Sequence, residues 1–261
     1  MVRQAVYAAL GLVLMLMVTA IDYRFLSNLQ KLIYAVTLGL LGVVFFIGQA
    51  LHGAQRWISL GLFSLQPSEL SKVLVILVLA QFFARREEQI GRLSTVLLSL
   101  VLMAPFVVLV YLQPDLGTAI VMLVIWGAMA FAAGVKLRHL GLLGMAAVLA
   151  VPFVWLHLKD YMRRRLLLFI NPSLDPAAKY NIDQALISIG SGGWLGKGFA
   201  HGSQSQLHFL RVRHTDFIFS VIGEELGLAG ALVLFILLGI VMCRILRAAE
   251  MARDTFGRLI C

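Results

Sequence analysis

The chain has 261 residues, of which 61% are apolar and only 13% are charged, with a formal net charge of +9. Soluble domains carry about twice this charged fraction, so the composition excludes an ordinary soluble globular protein. Apolar runs of roughly 20 residues, long enough to cross the hydrocarbon of a bilayer, recur along the chain. Lipid offers no partner to unpaired backbone amides, so such runs must be helical. The short alternating segments of a membrane barrel are absent. The sequence therefore predicts an all-α polytopic membrane protein.

Seven apolar runs are predicted to span the membrane, and one long polar segment interrupts them. The predicted spans are residues 4–21, 32–51, 66–84, 93–112, 116–135, 140–158 and 216–243. The long segment, residues 159–215, separates the sixth span from the seventh. It is too rich in leucine and aromatic residues for a disordered tract, and long loops in compact proteins are commonly functional. We expect residues 1–261 to form a single membrane domain.

The Lys and Arg residues of the short loops predict the orientation, because cytoplasmic loops carry an excess of them. The short segments on one side hold eleven such residues and those on the other side hold two. The loops at 22–31, 85–92 and 136–139 and the C-terminus are therefore expected in the cytoplasm. The long segment is expected outside, and its own eight basic residues suggest a ligand that carries phosphate.

Polar residues around the start of the third span are the first candidates for a site. The stretch 53–57 (GAQRW) precedes this span, and Trp57 is either an interfacial anchor or a stacking surface for sugar rings, with Arg56 facing phosphate. Glu69 and Lys72, three residues apart, share one face of the predicted helix. Ionisable groups inside spans are costly and mark functional sites. This pair forms an internal ion pair, a charged wall of a substrate cavity, or both.

The connection between the fourth and fifth spans, residues 113–118 (QPDLGT), contains a second candidate. Asp115 directly precedes the apolar run of the fifth span, where a carboxylate commonly accepts hydrogen bonds from the first backbone amides of a helix. Asp115 is therefore either a helix cap or a residue of the site.

Two motifs of the long segment suggest phosphate recognition. Arg163, Arg164 and Arg165 are adjacent, and their planar guanidinium groups suit phosphate oxygens, although a basic stripe on lipid headgroups would look the same. The stretch 190–198 (GSGGWLGKG) resembles a phosphate loop in composition. However, Gly198 follows Lys197 where the nucleotide-binding pattern requires Ser or Thr, and the expected outer side has no nucleotide pool. A nucleotide site is therefore excluded.

The chain enters the last span through residues 214–219 (HTDFIF). Asp216 lies at the membrane boundary, where it either caps a helix or takes part in chemistry. Glu224 and Glu225 follow two or more turns further along, and we expect one of them to face the bundle interior with a hydrogen-bond partner. The two cysteines, Cys243 and Cys261, have no metal-ligand spacing, and the sequence contains no self-contained metal site.

Four of these stretches, 53–57, 66–69 (QPSE), 113–118 and 214–219, occur in order and at fitting spacing. Together they resemble the SEDS family (shape, elongation, division, sporulation) of membrane peptidoglycan polymerases. Residues 190–198 and 204–210 (QSQLHFL) are more similar to its elongation branch, the RodA-like proteins. Members of this family have ten spans, so the resemblance implies that the chain lacks their first span and their last two.

The resemblance implies a glycosyltransferase that polymerises lipid II into glycan strands at the outer face of the bacterial cytoplasmic membrane during elongation. Asp216 matches the family's catalytic aspartate and would act as general base toward the acceptor 4-hydroxyl, with inversion at the donor sugar. Positive charge for the departing pyrophosphate would come from Arg56, Lys72 or Arg165, or from a divalent cation; no other cofactor is implied. The other substrate-binding candidates are Trp57, Glu69, Asp115, Lys197 and His214.

The implied partners are lipid II, the growing glycan strand, membrane lipid and a single-span penicillin-binding protein that crosslinks the strands; nucleic acid is not among them. A flippase for lipid-linked sugar would carry similar intramembrane charges, but it would tend to show internal repeats and broken helices. The chain has no repeat, and its motifs cluster on the expected outer side, which favours an enzyme. A non-catalytic scaffold of a cell-wall synthase is the third alternative.

Overall fold

Helices account for most of the chain in the computed structural model. It describes the backbone of residues 2–47, 49–51, 54–59, 64–203 and 216–261, and the side chains of 4–44, 58, 65–203 and 216–261. The α-helices in these ranges are α1 Val2–Thr19, α2 Tyr23–Asn28, α3 Gln30–Ile47, α4 Pro67–Ala84, α5 Leu93–Leu112, α6 Leu116–Ala132, α7 Leu137–His157, α8 Asp160–Ile170, α9 Pro176–Gly192, α10 Ile218–Met251 and α11 Thr255–Ile260. The strands are β1 Gln49–Leu51, β2 Ala54–Ser59 and β3 Ser64–Leu65.

The all-α polytopic fold predicted from composition is confirmed. A helix occupies each of the seven predicted spans, namely α1, α3, α4, α5, α6, α7 and α10. Four of them, α4, α5, α7 and α10, are long and apolar enough to cross a bilayer. Within the described residues, the apolar parts of the other three are shorter, at Gln4–Thr19, Gln30–Val44 and Leu116–Ala132.

The second predicted span is too long at its end. It was expected to continue to residue 51, but α3 ends at Ile47 and Gln49–Leu51 form β1. β1 pairs antiparallel with β2, with Gln49 opposite Trp57, and β2 pairs antiparallel with β3. The backbone of residues 49–51 thus satisfies its hydrogen bonds in a small sheet ahead of α4 rather than in a longer helix.

Residues 159–203, the described part of the long segment, include the helices α8 and α9, which the apolar pattern did not predict. α9 is defined by its cap: the Asp175 carboxylate accepts hydrogen bonds from the backbone amides of Ala177 and Ala178. These bonds and then the nearby Arg164 guanidinium hold the pKa of Asp175 below its usual range. Arg164 Nη2 lies 3.0 Å from Asp175 Oδ2, which ties α8 to the start of α9.

The chain divides into two compact units, and each has its own packing. Unit 1 comprises Met1–Leu149 and Ala248–Cys261, and unit 2 comprises Ala150–Arg247. In unit 1, α4 packs against α3, α5, α6 and α11. Its fully buried core includes Phe83 and Phe106. The single membrane domain expected from the sequence stays a prediction.

At one end of unit 1, several segments that we predicted to lie on the same side of the membrane contact one another. The prediction came from the Lys and Arg residues of the short loops. Tyr23 Oη donates to Asp254 Oδ1 at 2.5 Å, which joins α2 to the residue that caps α11. Thr255 Oγ1 donates to Glu87 Oε2 at 2.7 Å, which joins α11 to the turn after α4. Phe256 is buried at this end. The loops around 22–31 and 85–92 and the C-terminal segment therefore contact one another.

Candidate functional site

The starts of α4 and α6 meet at a buried carboxylate in unit 1. Asp115 caps α6, because its Oδ1 accepts a hydrogen bond from the Thr118 amide at 3.3 Å. The Gln66 amide, immediately before α4, donates to Asp115 Oδ2 at 3.3 Å and to Ser68 Oγ at 3.0 Å. Asp115 is 6% exposed. The predicted cap is confirmed, and the same side chain also connects two helices; its role in substrate binding stays a prediction.

Glu69 and Lys72 form the ion pair that their spacing predicted. Lys72 Nζ lies 2.8 Å from Glu69 Oε2, and the side chains are 25% and 57% exposed respectively. Glu69 lies in the first turn of α4, where the helix dipole favours a negative charge. An exposed pair of this kind contributes about 0–1 kcal/mol to stability. The pair therefore adds little to the stability of the fold, and stability alone does not explain why two charged residues lie on this largely apolar helix.

In unit 2, α10 is broken at Gly227. This residue has φ 65° and ψ −164°, which is not a helical conformation. In a continuous helix the amides of Leu228 and Ala229 would donate to the carbonyl oxygens of Glu224 and Glu225, four residues earlier. The break removes both of these hydrogen bonds. Four backbone polar groups in an apolar helix must then find other partners.

The glycine loop, residues 193–198, supplies all four partners. The amides of residues 228 and 229 donate to the carbonyl oxygens of Gly193 and Trp194, at 2.9 and 3.0 Å. The two freed carbonyl oxygens accept from the amides of Lys197 and Gly198, also at 2.9 and 3.0 Å. Four hydrogen bonds to the loop thus replace two within the helix. The phosphate-loop composition of this stretch is explained here by packing.

Glycine is required where the loop and the helix break touch. A Cβ atom on Gly196 would lie 2.2 Å from the carbonyl oxygen of Glu225, and one on Gly227 would lie 2.3 Å from the Gly196 nitrogen. Both residues also have positive φ, at 77° and 65°. A Cβ on Gly192 would lie 1.9 Å from the carbonyl oxygen of Gly223, so the end of α9 also packs directly on the α10 backbone.

Glu224 is fully buried beside this loop and has polar partners on both carboxylate oxygens. Lys197 Nζ lies 3.1 Å from Oε1, which also accepts from Ser203 Oγ at 3.1 Å. Ser188 Oγ lies 3.2 Å from Oε2. The expectation that one of the two adjacent glutamates faces the interior with a partner is confirmed, and the buried one is Glu224. A buried carboxylate needs such a cation, because an unpaired charge is strongly destabilising.

The Glu224 network changes how Lys197 is interpreted. Lys197 was expected to bind substrate, and its ammonium group is committed to Glu224; substrate binding by Lys197 stays a prediction. Glu224 itself was not among the predicted site residues. The sequence could predict that either Glu224 or Glu225 is buried. It could not predict which one, because the partner of Glu224, Lys197, lies 27 positions earlier in the chain.

Asp216 lies in the turn that leads into α10, two residues before the first helical residue, Ile218. Its side chain is exposed. The segment behind it is held at its first turn, where the carbonyl oxygen of Ser220 lies 3.2 Å from Ser188 Oγ on α9. An accessible carboxylate on an anchored segment is the arrangement that a general base requires, and the role of Asp216 stays a prediction.

The three adjacent arginines have different environments. Arg163 donates to two carbonyl oxygens at the end of α7, at 3.0 and 2.8 Å, and Arg164 pairs with Asp175. Within the described part of the chain, Arg165 makes no hydrogen bond or ion pair. Of the three, Arg165 is therefore the one whose guanidinium group remains available to phosphate oxygens. This availability is consistent with its predicted role at the pyrophosphate.

Three of the predicted residues cannot be placed in a site. Arg56 and Trp57 belong to β2, but their side chains lie outside the described residues, and His214 lies outside the described residues altogether. Among the residues that the structure does describe, no three His, Cys, Asp or Glu side chains gather as a metal site. Cys243 and Cys261 are exposed thiols.

The fold and the polar clusters described above define a polytopic helical membrane protein, and its whole length matches one known family. The chain belongs to the FtsW/RodA/SpoVE family: the family described as "Cell cycle protein" matches residues 1–261. The predicted resemblance to the SEDS family is thereby confirmed.

Relatives and solved structures support this membership. Peptidoglycan glycosyltransferase MrdB of Escherichia coli K12 is 40% identical over 262 residues, which cover 100% of this chain and 70% of MrdB. The probable peptidoglycan glycosyltransferase FtsW of Geobacter metallireducens is 40% identical over 264 residues, covering 99% of this chain and 69% of FtsW.

Two solved structures share the fold. A chain from work on the structural coordination of polymerization and crosslinking by a peptidoglycan synthase complex has a TM-score of 0.82 and 34% identity, covering 99% of this chain and 72% of its own length. The rod shape determining protein RodA of Thermus thermophilus has a TM-score of 0.68 and 32% identity, covering 99% and 68%.

Proposed function

We propose that the protein is a peptidoglycan glycosyltransferase that polymerises lipid II into glycan strands during cell elongation. The observation that carries this proposal is the exposed carboxylate of Asp216, held at the start of α10 in the stretch that resembles the family's catalytic motif. The names of the E. coli and Geobacter relatives support the class of enzyme.

In the proposed reaction Asp216 accepts the proton of the acceptor 4-hydroxyl. The hydroxyl oxygen then attacks the anomeric carbon of the donor sugar and forms the new glycosidic bond. The bond to the lipid pyrophosphate breaks on the opposite face, and the electron pair leaves with the pyrophosphate. Attack opposite to the leaving group inverts the configuration at that carbon.

Positive side chains would stabilise the charge that develops on the departing pyrophosphate. Lys72 is a suitable candidate because it is partly exposed and held by Glu69. Arg165 is another, because its guanidinium group is available. Arg56 remains a third candidate for this charge from the sequence, with Trp57, Asp115, Lys197 and His214 as further substrate-binding residues. A divalent cation is the remaining candidate from the sequence for this charge.

The proposed location is the cytoplasmic membrane, with the segment 159–215 outside and the C-terminus in the cytoplasm. The excess of Lys and Arg in the short loops supports this orientation. The contacts between α2, the turn after α4 and α11 also support it, because they keep three basic segments at one end of unit 1. Lipid-linked substrate would then reach Asp216 from the outer face, with membrane lipid around the spans.

The proposed partner is a single-span penicillin-binding protein that crosslinks the strands. The structural neighbour with a TM-score of 0.82 is part of a peptidoglycan synthase complex, which supports such a partnership. In that arrangement the protein supplies nascent glycan and the partner joins its peptide stems.

The break in α10 is the feature that would favour a flippase, since transporters use broken helices at their binding sites. In transporters the freed backbone groups coordinate ions or substrate. Here the glycine loop satisfies all four groups that the break frees at residues 224, 225, 228 and 229. The break therefore gives weak support to transport, and polymerisation remains the better proposal.

The test is polymerisation of labelled lipid II by the purified protein with its crosslinking partner, compared with Asp216→Asn. Glycan strands from the parent and none from an equally folded Asp216→Asn variant are the expected result. Strands at the parent rate from the variant would exclude Asp216 as the base. No strands from either protein, with lipid II still bound, would shift the proposal to transport or to a non-catalytic scaffold.

A further inference from the structure

We propose that Glu224 is a positioning residue for the reaction, an inference that rests on the function proposed above. Together with Lys197, it holds the glycine loop in the break of α10. The loop in turn fixes the short helical segment, residues 218–226, that begins two residues after Asp216.

Asp216 does not fix its own orientation. Its side chain is exposed, and it makes no hydrogen bond or ion pair within the described part of the chain. The direction of its carboxylate then depends on the backbone of the turn and of segment 218–226. A general base must be held within about 0.5 Å of its productive position, so whatever holds this segment also controls the base.

One connected set of contacts holds segment 218–226 at both of its ends. At its start, the Ser220 carbonyl oxygen lies 3.2 Å from Ser188 Oγ. At its end, the carbonyl oxygens of residues 224 and 225 accept hydrogen bonds from the glycine loop. Ser188 Oγ also lies 3.2 Å from Glu224 Oε2, so its single hydroxyl proton can be donated to either end.

Lys197 joins the glycine loop to Glu224 through both its backbone and its side chain. Its backbone amide donates to the Glu224 carbonyl oxygen at 2.9 Å, and its ammonium group lies 3.1 Å from Oε1 of the same residue. Ser203 lies 2.8 Å from the ammonium group and 3.1 Å from Oε1. The backbone of Lys197 thus binds the backbone of Glu224, and its side chain binds the Glu224 side chain. These paired contacts set the register between the glycine loop and α10.

An ion pair to a fully buried carboxylate is a costly way to stabilise a fold, because desolvation of the carboxylate offsets most of the attraction. Here the Glu224 side chain is 0% exposed and the Lys197 side chain 33% exposed. The best-supported use of such a pair is to select one arrangement among several of similar energy. Here the competing arrangements are a continuous α10, which closes its own hydrogen bonds, and the broken α10 bound to the loop. The Lys197–Glu224 pair favours the broken form, which is the one that orients Asp216.

The test compares four variants of the protein: Glu224→Gln, Lys197→Met, the double variant, and Asp183→Asn, which neutralises an exposed carboxylate on α9, as control. For each, kcat and KM for lipid II polymerisation are measured, with hydrogen exchange at the amides of residues 197, 198, 228 and 229. We expect Glu224→Gln to lower kcat on the order of 10–100-fold, the loss typical of a slightly misplaced catalytic group. Its KM should stay within about twofold of the parent, since ground-state binding is unaffected.

Hydrogen exchange at the four amides should accelerate in Glu224→Gln and remain at the parent rate in Asp183→Asn. The double variant should recover part of the kcat that Lys197→Met loses, because it no longer leaves the buried Glu224 carboxylate without Lys197. If Lys197 instead binds the substrate directly, the double variant is no more active than Lys197→Met, and KM rises; that result would overturn the positioning role.

A milder variant keeps the inference testable if Glu224→Gln does not fold. Ser188→Ala removes only the hydroxyl between the two ends of the segment, and a smaller fall in kcat with parent KM is expected. An active parent with fully active Glu224→Gln or Ser188→Ala overturns the positioning role alone. A folded parent that makes no glycan strands overturns the proposed function instead.

Discussion

The Asp115 carboxylate joins the starts of two helices to one another: one oxygen caps α6, and the other accepts from the Gln66 amide just before α4. Because Asp115 is buried, these bonds exchange little with water. A change at this residue therefore acts on two helices at once, and this allows its structural and functional roles to be separated.

Asp115→Ala should lower the free energy of unfolding by about 1–3 kcal/mol, because it removes a helix cap and leaves the Gln66 amide without one acceptor. Asp115→Asn keeps one acceptor oxygen, enough for the cap of α6, but puts an NH2 group where the second oxygen accepted from Gln66, so it should cost less than Asp115→Ala. Thermal unfolding of the two variants measures this difference. Equal melting temperatures for Asp115→Ala and the parent would contradict it. A folded Asp115→Asn variant without polymerase activity would assign the negative charge to the site.

Gly227→Ala should destabilise unit 2 by about 1–3 kcal/mol, because alanine is strained at positive φ and its Cβ meets the loop backbone. Gly239→Ala is the matched control in the same helix, since a Cβ there meets no atom within 4 Å. The control should be neutral or gain up to about 1 kcal/mol. Melting temperature and polymerisation rate should fall together for Gly227→Ala; a variant as stable and active as Gly239→Ala would show that the break is dispensable.

Exchanging the charges of Glu69 and Lys72 separates pairing from substrate contact. The double change Glu69→Lys with Lys72→Glu retains a pair three residues apart, so the fold should lose no more than about 1 kcal/mol. If the ammonium group of Lys72 faces the departing pyrophosphate, the exchanged protein should lose polymerase activity. Activity near the parent level would identify the pair as structural.

The low pKa of Asp175 predicts a pH-dependent contribution of its cap to stability. The backbone amides of Ala177 and Ala178, and then Arg164, stabilise the ionised carboxylate in the folded protein. The contribution is therefore fully present above the ordinary aspartate pKa of about 3.9 and is lost as pH falls through the lower folded-state value. The stability difference between the parent and Asp175→Ala should accordingly be larger at neutral pH than at strongly acidic pH. A difference independent of pH would contradict the prediction.

The proposed orientation can be measured with a membrane-impermeant thiol reagent on intact cells. Cys261 should react only after lysis, in a Cys243→Ser background that leaves it as the single thiol. With Cys261 also replaced by Ser, Leu195→Cys places a thiol on the glycine loop, where the native side chain is 83% exposed. This thiol should react in intact cells. The reverse pattern would invert the topology and rule out an outer-face Asp216.

Features encoded by nearby residues were predictable from the sequence. Apolar runs located the helices of the seven spans because a span must satisfy its own backbone. The Glu69–Lys72 pair followed from helical spacing, and the cap at Asp115 followed from its place before an apolar run. Each of these predictions needed only residues within one helix.

Features that depend on distant partners were not predictable in this way. Gly227 follows Glu224, Glu225 and Leu226 and precedes an apolar run, and no residue in this stretch by itself predicts a break. The break exists because residues 193–198 provide the lost hydrogen bonds. The burial of Glu224 rather than Glu225 also depends on Lys197, 27 positions away. α8 and α9 were missed because they are less apolar than the spans and α9 starts at a cap from Asp175.

The filled break in α10 also constrains how the protein is made. When α10 first enters lipid, it must either form a continuous helix or leave four backbone groups unsatisfied at several kcal/mol each. An unbroken helix closes its own backbone bonds, so we expect the break to form only once the glycine loop, which is synthesised earlier, reaches it. Under the proposed role of Asp216, the general base would then be aligned late in the making of the protein.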